Sequence, residues 1–378
     1  MIYLDNAATT YPKPRSVYQA WSRAMTAYGA NPGRSGHAMS MAASRAVFAS
    51  RSACAEFFGA EPENTVFTLN CTHALNIAIK GLARPGAHFV LSDIEHNAVI
   101  RPVHSLTESG VRYTLFESSS EPWQTVMNAA RAIRPETVAL ICTAAGNVTG
   151  HRMPLPELAD LCRRKHICFI VDAAQGAGLL PLSLKDGINI ICTAGHKGLY
   201  GPMGTGLMLT DGKYPLKTFM EGGTGSASES LEQPDFLPDR FESGTINTPG
   251  AIALGAGVEF VKARTPQKIL AHETALCRSL CGMLRKIPGI TVYSDIDRQP
   301  EKFAPVVSFN IGSIPSAEAS TRLSDLGFCL RGGLHCAPLA HKKLGTLETG
   351  TVRFAPSAFT TPEEVSRLAK AVKSLSVS

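Results

Sequence analysis

Between Thr65 and Asp211 the chain alternates short apolar runs with longer stretches of mixed polarity. The runs are Thr65–Leu69, His88–Ser92, Tyr113–Phe116, Val138–Cys142, Ile167–Val171, Ile188–Cys192 and Gly206–Leu209. Nearly continuous Val, Ile, Leu and Phe, rather than strict alternation, mark strands covered on both faces. The pattern predicts an α/β fold built on a mainly parallel seven-stranded sheet, in which ligands gather beyond the carboxyl ends of the strands.

The rhythm changes after Asn247-Thr-Pro-Gly250. A long helical stretch leads to apolar runs at Gly289–Tyr293, Val306–Phe309 and Val352–Phe354, then to a last helix from about Pro362. This reads as a smaller α+β C-terminal domain over residues 251–378, beside a large domain over residues 15–250. Residues 1–14 are expected to pack on the smaller one. No repeat, low-complexity tract or flexible linker interrupts the chain.

With 378 residues, 44% hydrophobic and 18% charged, the chain can bury a large core. Its net charge of +6 is mild. No basic run is long enough for a nucleic-acid groove or a polybasic membrane patch. The start lacks a cationic stretch followed by an apolar one, and no apolar run approaches the ~20 residues of a membrane span, so a cytoplasmic protein is expected. Ten cysteines are scattered, several in apolar strands (Cys142, Cys168, Cys192), and none forms Cys-x-x-Cys. Reduced core residues are expected, with no structural metal.

The candidate chemistry sits at strand ends. Lys197 lies in Thr193-Ala-Gly-His-Lys-Gly-Leu-Tyr-Gly-Pro-Met-Gly204, just after the run that follows Val171-Asp-Ala-Ala-Gln175. A lysine after one strand and an aspartate, Asp172, ending the strand before it suit a Schiff base to an aldehyde whose ring nitrogen needs an acidic partner. The aldehyde implied is pyridoxal 5'-phosphate. Alone, Asp172 reads more readily as a helix cap or metal ligand, and Lys197 as a solvated surface lysine.

Other strand ends converge on the same ligand. Asn70-Cys-Thr-His-Ala-Leu-Asn76 follows a strand and opens a helix, so backbone N–H groups of Thr72 and His73 would meet a phosphate at the positive helix end. Thr193 and His196 could donate to it as well, and Gly222-Gly-Thr-Gly-Ser226 is a second candidate phosphate loop. His96, past another strand end, could stack on the ring. Asn147 and Gln175 sit where side-chain amides could touch its phenolic oxygen.

In the smaller domain, Arg331-Gly-Gly-Leu-His-Cys-Ala-Pro338 places Cys336 on a glycine-rich loop near cationic groups, where a thiol can ionise and attack. Arg353, on Val352-Arg-Phe354, offers the planar fork that suits a carboxylate.

These motifs, together with Leu4-Asp-Asn-Ala-Ala-Thr9, Glu95-His-Asn97 and Phe241-Glu-Ser-Gly-Thr245, resemble the cysteine desulfurases of the class V aminotransferase group, in order along the whole chain. The resemblance implies the pyridoxal-phosphate-dependent transferase fold type I, a homodimer, and an active site near the dimer interface. By that resemblance Lys197 forms the Schiff base, Asp172 pairs with the pyridinium and His96 stacks. Thr72, His73, Thr193 and His196 hold the phosphate, joined by Thr224 of the other subunit. Arg353 binds the substrate carboxylate, with Asn147 nearby, and Cys336 accepts sulfur as a persulfide.

The implied reaction takes L-cysteine to L-alanine and passes sulfur to an acceptor protein, in iron–sulfur cluster assembly, thiolation or selenium metabolism. The Arg331–Ala337 loop is similar to the branch that includes selenocysteine lyases. Ile246 and Leu334 depart from the family pattern, where proline and histidine are usual. Other chemistry on the same scaffold, with L-selenocysteine as substrate or as C–S β-lyase, epimerase or transaminase, is the alternative. A non-catalytic nucleotide- or metal-binding protein is disfavoured, because the chain lacks a Gly-x-x-x-x-Gly-Lys-Ser/Thr loop and paired metal ligands.

Overall fold

The structure is a computed structural model that describes residues 1–33 and 35–376. Strand β1 (Ile2–Tyr3) precedes helices α1 (Arg15–Ala27) and α2 (Ala38–Phe57). Then follow β2 (Thr65–Thr68), α3 (Cys71–Leu82), β3 (His88–Ser92), α4 (Asn97–Ser105), β4 (Arg112–Phe116), α5 (Pro122–Ala132), β5 (Thr137–Thr143), α6 (Leu155–Lys165), β6 (Cys168–Asp172), β7 (Ile190–Ala194) and β8 (Gly206–Thr210). The remainder comprises α7 (Thr248–Arg264), α8 (Pro266–Leu284), β9 (Ile290–Val292), β10 (Val307–Ile311), α9 (Ser316–Asp325), β11 (Phe328–Cys329), β12 (Arg331–Gly333), α10 (Pro338–Leu344), β13 (Thr351–Phe354) and α11 (Pro362–Ser376).

Each of the seven apolar runs between Thr65 and Asp211 forms a strand of one sheet, in the order β2-β8-β7-β6-β5-β3-β4. Only β8 runs against its neighbours. Successive side chains enter opposite cores, as the two-residue period demands. Val90, Phe169 and Val171 pack on one side, and Phe89, Leu91 and Ile170 on the other. A fully buried side chain of this kind contributes roughly 1.5–3 kcal/mol, which explains why these runs carry no polar alternation. From β3 the chain steps outward to β4 and returns as β5 on the other side of β3. The crevice beyond the carboxyl ends of β3 and β5 is therefore the switch point where α/β sheets bind ligands.

The C-terminal strands form a second, antiparallel sheet, β12-β13-β10-β9. The apolar pattern missed β12, because Gly332 and Gly333 carry no side chain to reveal it. The N-terminal segment joins this region: β1 pairs in parallel with β11, and Asp5 bridges to Ala355. Leu4 shares a core with Leu276, Phe309 and Phe354. No helix among the described residues is long and apolar enough to cross a membrane.

Candidate active site

Asp172 and Lys197 come together because β6 and β7 are parallel neighbours, with Asp172 in register with Cys192. Both line a cavity of about 300 Å³ beyond the strand ends. Asp172 is 2% exposed. Its Oδ1 accepts from Ala174 N at 2.9 Å and from the Cys71 thiol at 3.3 Å. Among the described residues no hydrogen-bond donor reaches Oδ2. Burial lowers the pKa of Lys197, Arg353 and Arg331 lower it further, and the Asp172 carboxylate opposes them.

The turn carrying Lys197 is tightly held. A Cβ on Gly198 would stand 2.2 Å from the Ala177 carbonyl oxygen, so only glycine fits. From the N-terminal segment, Thr10 N, Thr9 Oγ1 and Lys13 Nζ donate to the His196 carbonyl at 2.9, 3.2 and 2.8 Å. Thr10 Oγ1 donates to the Lys197 carbonyl at 2.9 Å.

His96 caps α4, its Nδ1 accepting from Ala98 N at 3.0 Å, and its ring lines the cavity. Burial lowers its pKa against the pull of Asp172. Glu95, fully buried, accepts from Ser92 Oγ and from Thr143 N. It thereby ties the ends of β3 and β5 at the switch point. Thr72 opens onto the cavity from the first turn of α3. His196 also lines the cavity, and its Nδ1 is buried without a partner. Burial, then Lys197 and Lys13, push its pKa down to about 4.

The second sheet closes the cavity with two arginines. Arg353 is 1% exposed; one terminal nitrogen donates to Asp5 Oδ1 at 2.8 Å, the other to the Asn147 carbonyl at 3.2 Å, and Nε is buried without a partner. Arg331 lies opposite it on β12 and places a terminal nitrogen 3.7 Å from Cys336 Sγ. All ten cysteines are free, and Cys336 is the exposed one. His335 and Cys336 both have left-handed backbones (φ 50 and 57). That turn is held by Asn147 Nδ2 donating to the His335 carbonyl at 2.7 Å and by Asn97 N donating to the Cys336 carbonyl at 2.8 Å. His335 donates from Nε2 to the Thr351 carbonyl at 2.9 Å, and burial with the two arginines pushes its pKa down to about 2. Gln175, also lining the cavity, donates to the Ala7 carbonyl at 3.0 Å.

Two expected ligand-holding residues are placed otherwise. Thr193 is wholly buried, its hydroxyl turned toward the Ala173 and Ala194 carbonyls at 3.5 Å, and Ala194 lines the cavity instead. Strand alternation puts only one of two adjacent residues on the cavity side. The His73 N–H is taken by the cap residue Asn70 at 2.9 Å, while its ring packs near Phe219 outside the cavity. Thr224, expected to act from the other subunit, lines a separate cavity of its own chain together with Arg51 and Thr245.

Sequence reasoning missed Cys71, Arg331 and Glu95 as participants. Arg331 carried a signal, the same residue type as Arg353 at the start of the cysteine loop. The other two reach the site only through contacts between elements. Among the described residues, no group of three or more His, Cys, Asp or Glu side chains is placed to hold a metal ion.

The fold and this lysine-centred cavity define a member of the class-V aminotransferase family, whose model matches residues 2–368; the chain belongs to that family. It is similar to a probable cysteine desulfurase of Methanothermobacter thermautotrophicus, at 30% identity over 99% of this chain and 94% of the relative. It is also similar to the cysteine desulfurase IscS of Vibrio campbellii, at 30% identity over 96% of this chain and 90% of the relative. The apo cysteine desulfurase of Thermococcus onnurineus superposes with a TM-score of 0.92 at 28% identity, covering 100% of this chain and 94% of that one.

Proposed function

We propose that this protein is a cytoplasmic, pyridoxal-phosphate-dependent cysteine desulfurase that converts L-cysteine to L-alanine and receives the sulfur on Cys336. The observation that carries this reading is the exposed Cys336 thiol, set beside an arginine that itself lines the Lys197 cavity.

The residues fit the cofactor. Asp172 has Oδ2 free for a ring N–H, and His196 has an unpartnered buried nitrogen for a phosphate. Thr72 and the N-terminal turn of α3 complete that phosphate site. His96, its pKa lowered by burial, would stack on the ring, with Asn147 and Gln175 as further contacts to it. Thr224 of a second copy joins the phosphate site in a homodimer. When bound, pyridoxal phosphate supplies an aldehyde for the amines of Lys197 and then the substrate, and a ring that accepts electron density from the substrate's Cα.

On this reading the side chains of the cavity divide the reaction among them. Arg353, which lines the cavity and keeps Nε without a protein partner, binds the substrate carboxylate and orients the Cα–H bond. Lys197, its pKa lowered by burial, is the amine placed to take the Cα proton. The Cys336 thiolate attacks the substrate sulfur: an S–S bond forms, the C–S bond breaks, and its electron pair stays on carbon, where protonation yields alanine. The persulfide then passes its outer sulfur to an acceptor protein at this exposed loop. L-Selenocysteine presents the same amine and carboxylate to these groups.

The test is mass spectrometry of the holoenzyme after L-cysteine treatment. One added sulfur on the peptide containing Cys336, with alanine formed, is expected. Alanine-free turnover to sulfide and pyruvate, with Cys336 unmodified, would show a β-lyase instead.

A further inference from the structure

Cys71 opens α3 and sends its side chain beneath the cavity. It is 6% exposed and belongs to the apolar core under the sheet. Its Sγ lies 3.3 Å from Asp172 Oδ1 and 3.4 Å from the Cys192 carbonyl oxygen. An ionised carboxylate and a carbonyl only accept, so the thiol must be the donor. Burial, reinforced by Asp172, holds its pKa well above the ordinary value and keeps the proton on sulfur. Ala174 N is the second donor to the same Oδ1. Two donors on one oxygen fix the plane of the carboxylate and leave Oδ2 facing the cavity.

We propose that Cys71 is a positioning residue for the reaction: its S–H donates to Asp172 Oδ1 and sets the orientation and charge of the carboxylate that faces the cofactor ring. The inference rests on the reading of Asp172 as the ring-nitrogen partner. Hydrogen bonds to a charged carboxylate favour that form, so a carboxylate stripped of one donor is the stronger base. With the cofactor bound, such a carboxylate would draw the ring-nitrogen proton toward itself, leaving the ring less positive and the Lys197 nitrogen joined to it more basic. A thiol suits this place because it combines a weak donor with the apolar bulk that the core around Ala74 and Cys192 accepts.

The experiment is the pH titration of the bound cofactor's visible absorption in the wild-type holoenzyme and in Cys71→Ala, Cys71→Val, Cys71→Ser and Asp172→Asn. Alanine and valine remove the donor, and both are expected to move the midpoint to higher pH by about half a unit. Serine retains a donor and should titrate with the wild type. Midpoints unchanged in the alanine and valine variants, or a serine shift as large as theirs, would overturn the proposal. If valine does not fold, the alanine–serine pair decides. Asp172→Asn separates the two levels. A large change in its midpoint or cofactor affinity, beside unresponsive Cys71 variants, defeats the Cys71 role alone. A spectroscopically silent Asp172→Asn defeats the reading of Asp172 and this inference with it.

Discussion

Arg331 and Arg353 are register partners across β12 and β13, and both reach the cavity that contains Lys197. Like charges opposite one another in a sheet are destabilising unless something else holds them. Here Asp5 pairs with Arg353 from the N-terminal segment, while Arg331 turns a terminal nitrogen toward Cys336. In the proposed reaction the pair divides the work: Arg353 holds the substrate carboxylate, and Arg331 stands beside Cys336.

Arg353→Ala should therefore raise the KM for L-cysteine far more than it lowers kcat, with kcat/KM down about 30-fold or more, as for loss of a buried charged hydrogen-bond partner worth at least ~2 kcal/mol. Arg353→Lys should recover only a small part, since an ammonium cannot reproduce the planar fork. Steady-state kinetics on L-cysteine decides; a lysine variant equal to wild type would contradict a forked contact.

Cys336→Ser should keep cofactor absorption and lose alanine formation from L-cysteine. Arg331→Ala should retain the cofactor and form the Cys336 persulfide about tenfold more slowly, a loss of ~1.4 kcal/mol that matches one charge-assisted contact. Rapid-quench mass spectrometry of the Cys336 peptide measures both. Unimpaired persulfide formation in Arg331→Ala would leave that guanidinium without a part in the step.

His196 and Thr193 make opposite forecasts. His196→Ala removes a cavity-lining side chain whose buried Nδ1 has no protein partner, and the affinity for pyridoxal phosphate is expected to fall about tenfold, as for one hydrogen bond to a charged group. Thr193→Val should leave it unchanged, because that hydroxyl points at backbone carbonyls. Equilibrium titration followed by absorbance tells them apart.

Glu95 gives a pH signature in stability. Burial, opposed in part by the Ser92 hydrogen bond, pushes its pKa from 4.5 up to about 8. Below about pH 4.5 the group is protonated in both folded and unfolded chains and contributes its full stability. Between 4.5 and 8 the unfolded chain releases the proton while the folded one keeps it, so stability falls as pH rises, by several kcal/mol at most. Glu95→Gln cannot ionise. Its Tm should gain on the wild type from pH 5 to pH 8; a pH-independent difference would show that Glu95 is ionised in the fold.

Much of this architecture was written in the chain itself. The continuous apolar runs, from Thr65 to Leu209, specify the seven strands because residues buried on both faces admit little polarity. Asp172, Lys197, His96 and Arg353 could be read as candidates because their residue types at the ends of those runs, or on a short strand, match a recognisable chemistry. Local sequence says nothing, however, about which neighbour a side chain meets. The turn of Thr193 away from the cavity follows from the facing of β7, and the capture of the His73 N–H from the Asn70 cap.

Tertiary structure alone decided the pairings that tune the site: Cys71 on Asp172, Asp5 on Arg353, Arg331 beside Cys336, and Glu95 across β3 and β5. Most of these contacts join residues far apart in sequence, and each is made at 2.8 to 3.7 Å. Burial and hydrogen bonding set by folding, rather than residue identity, determine which group holds a proton.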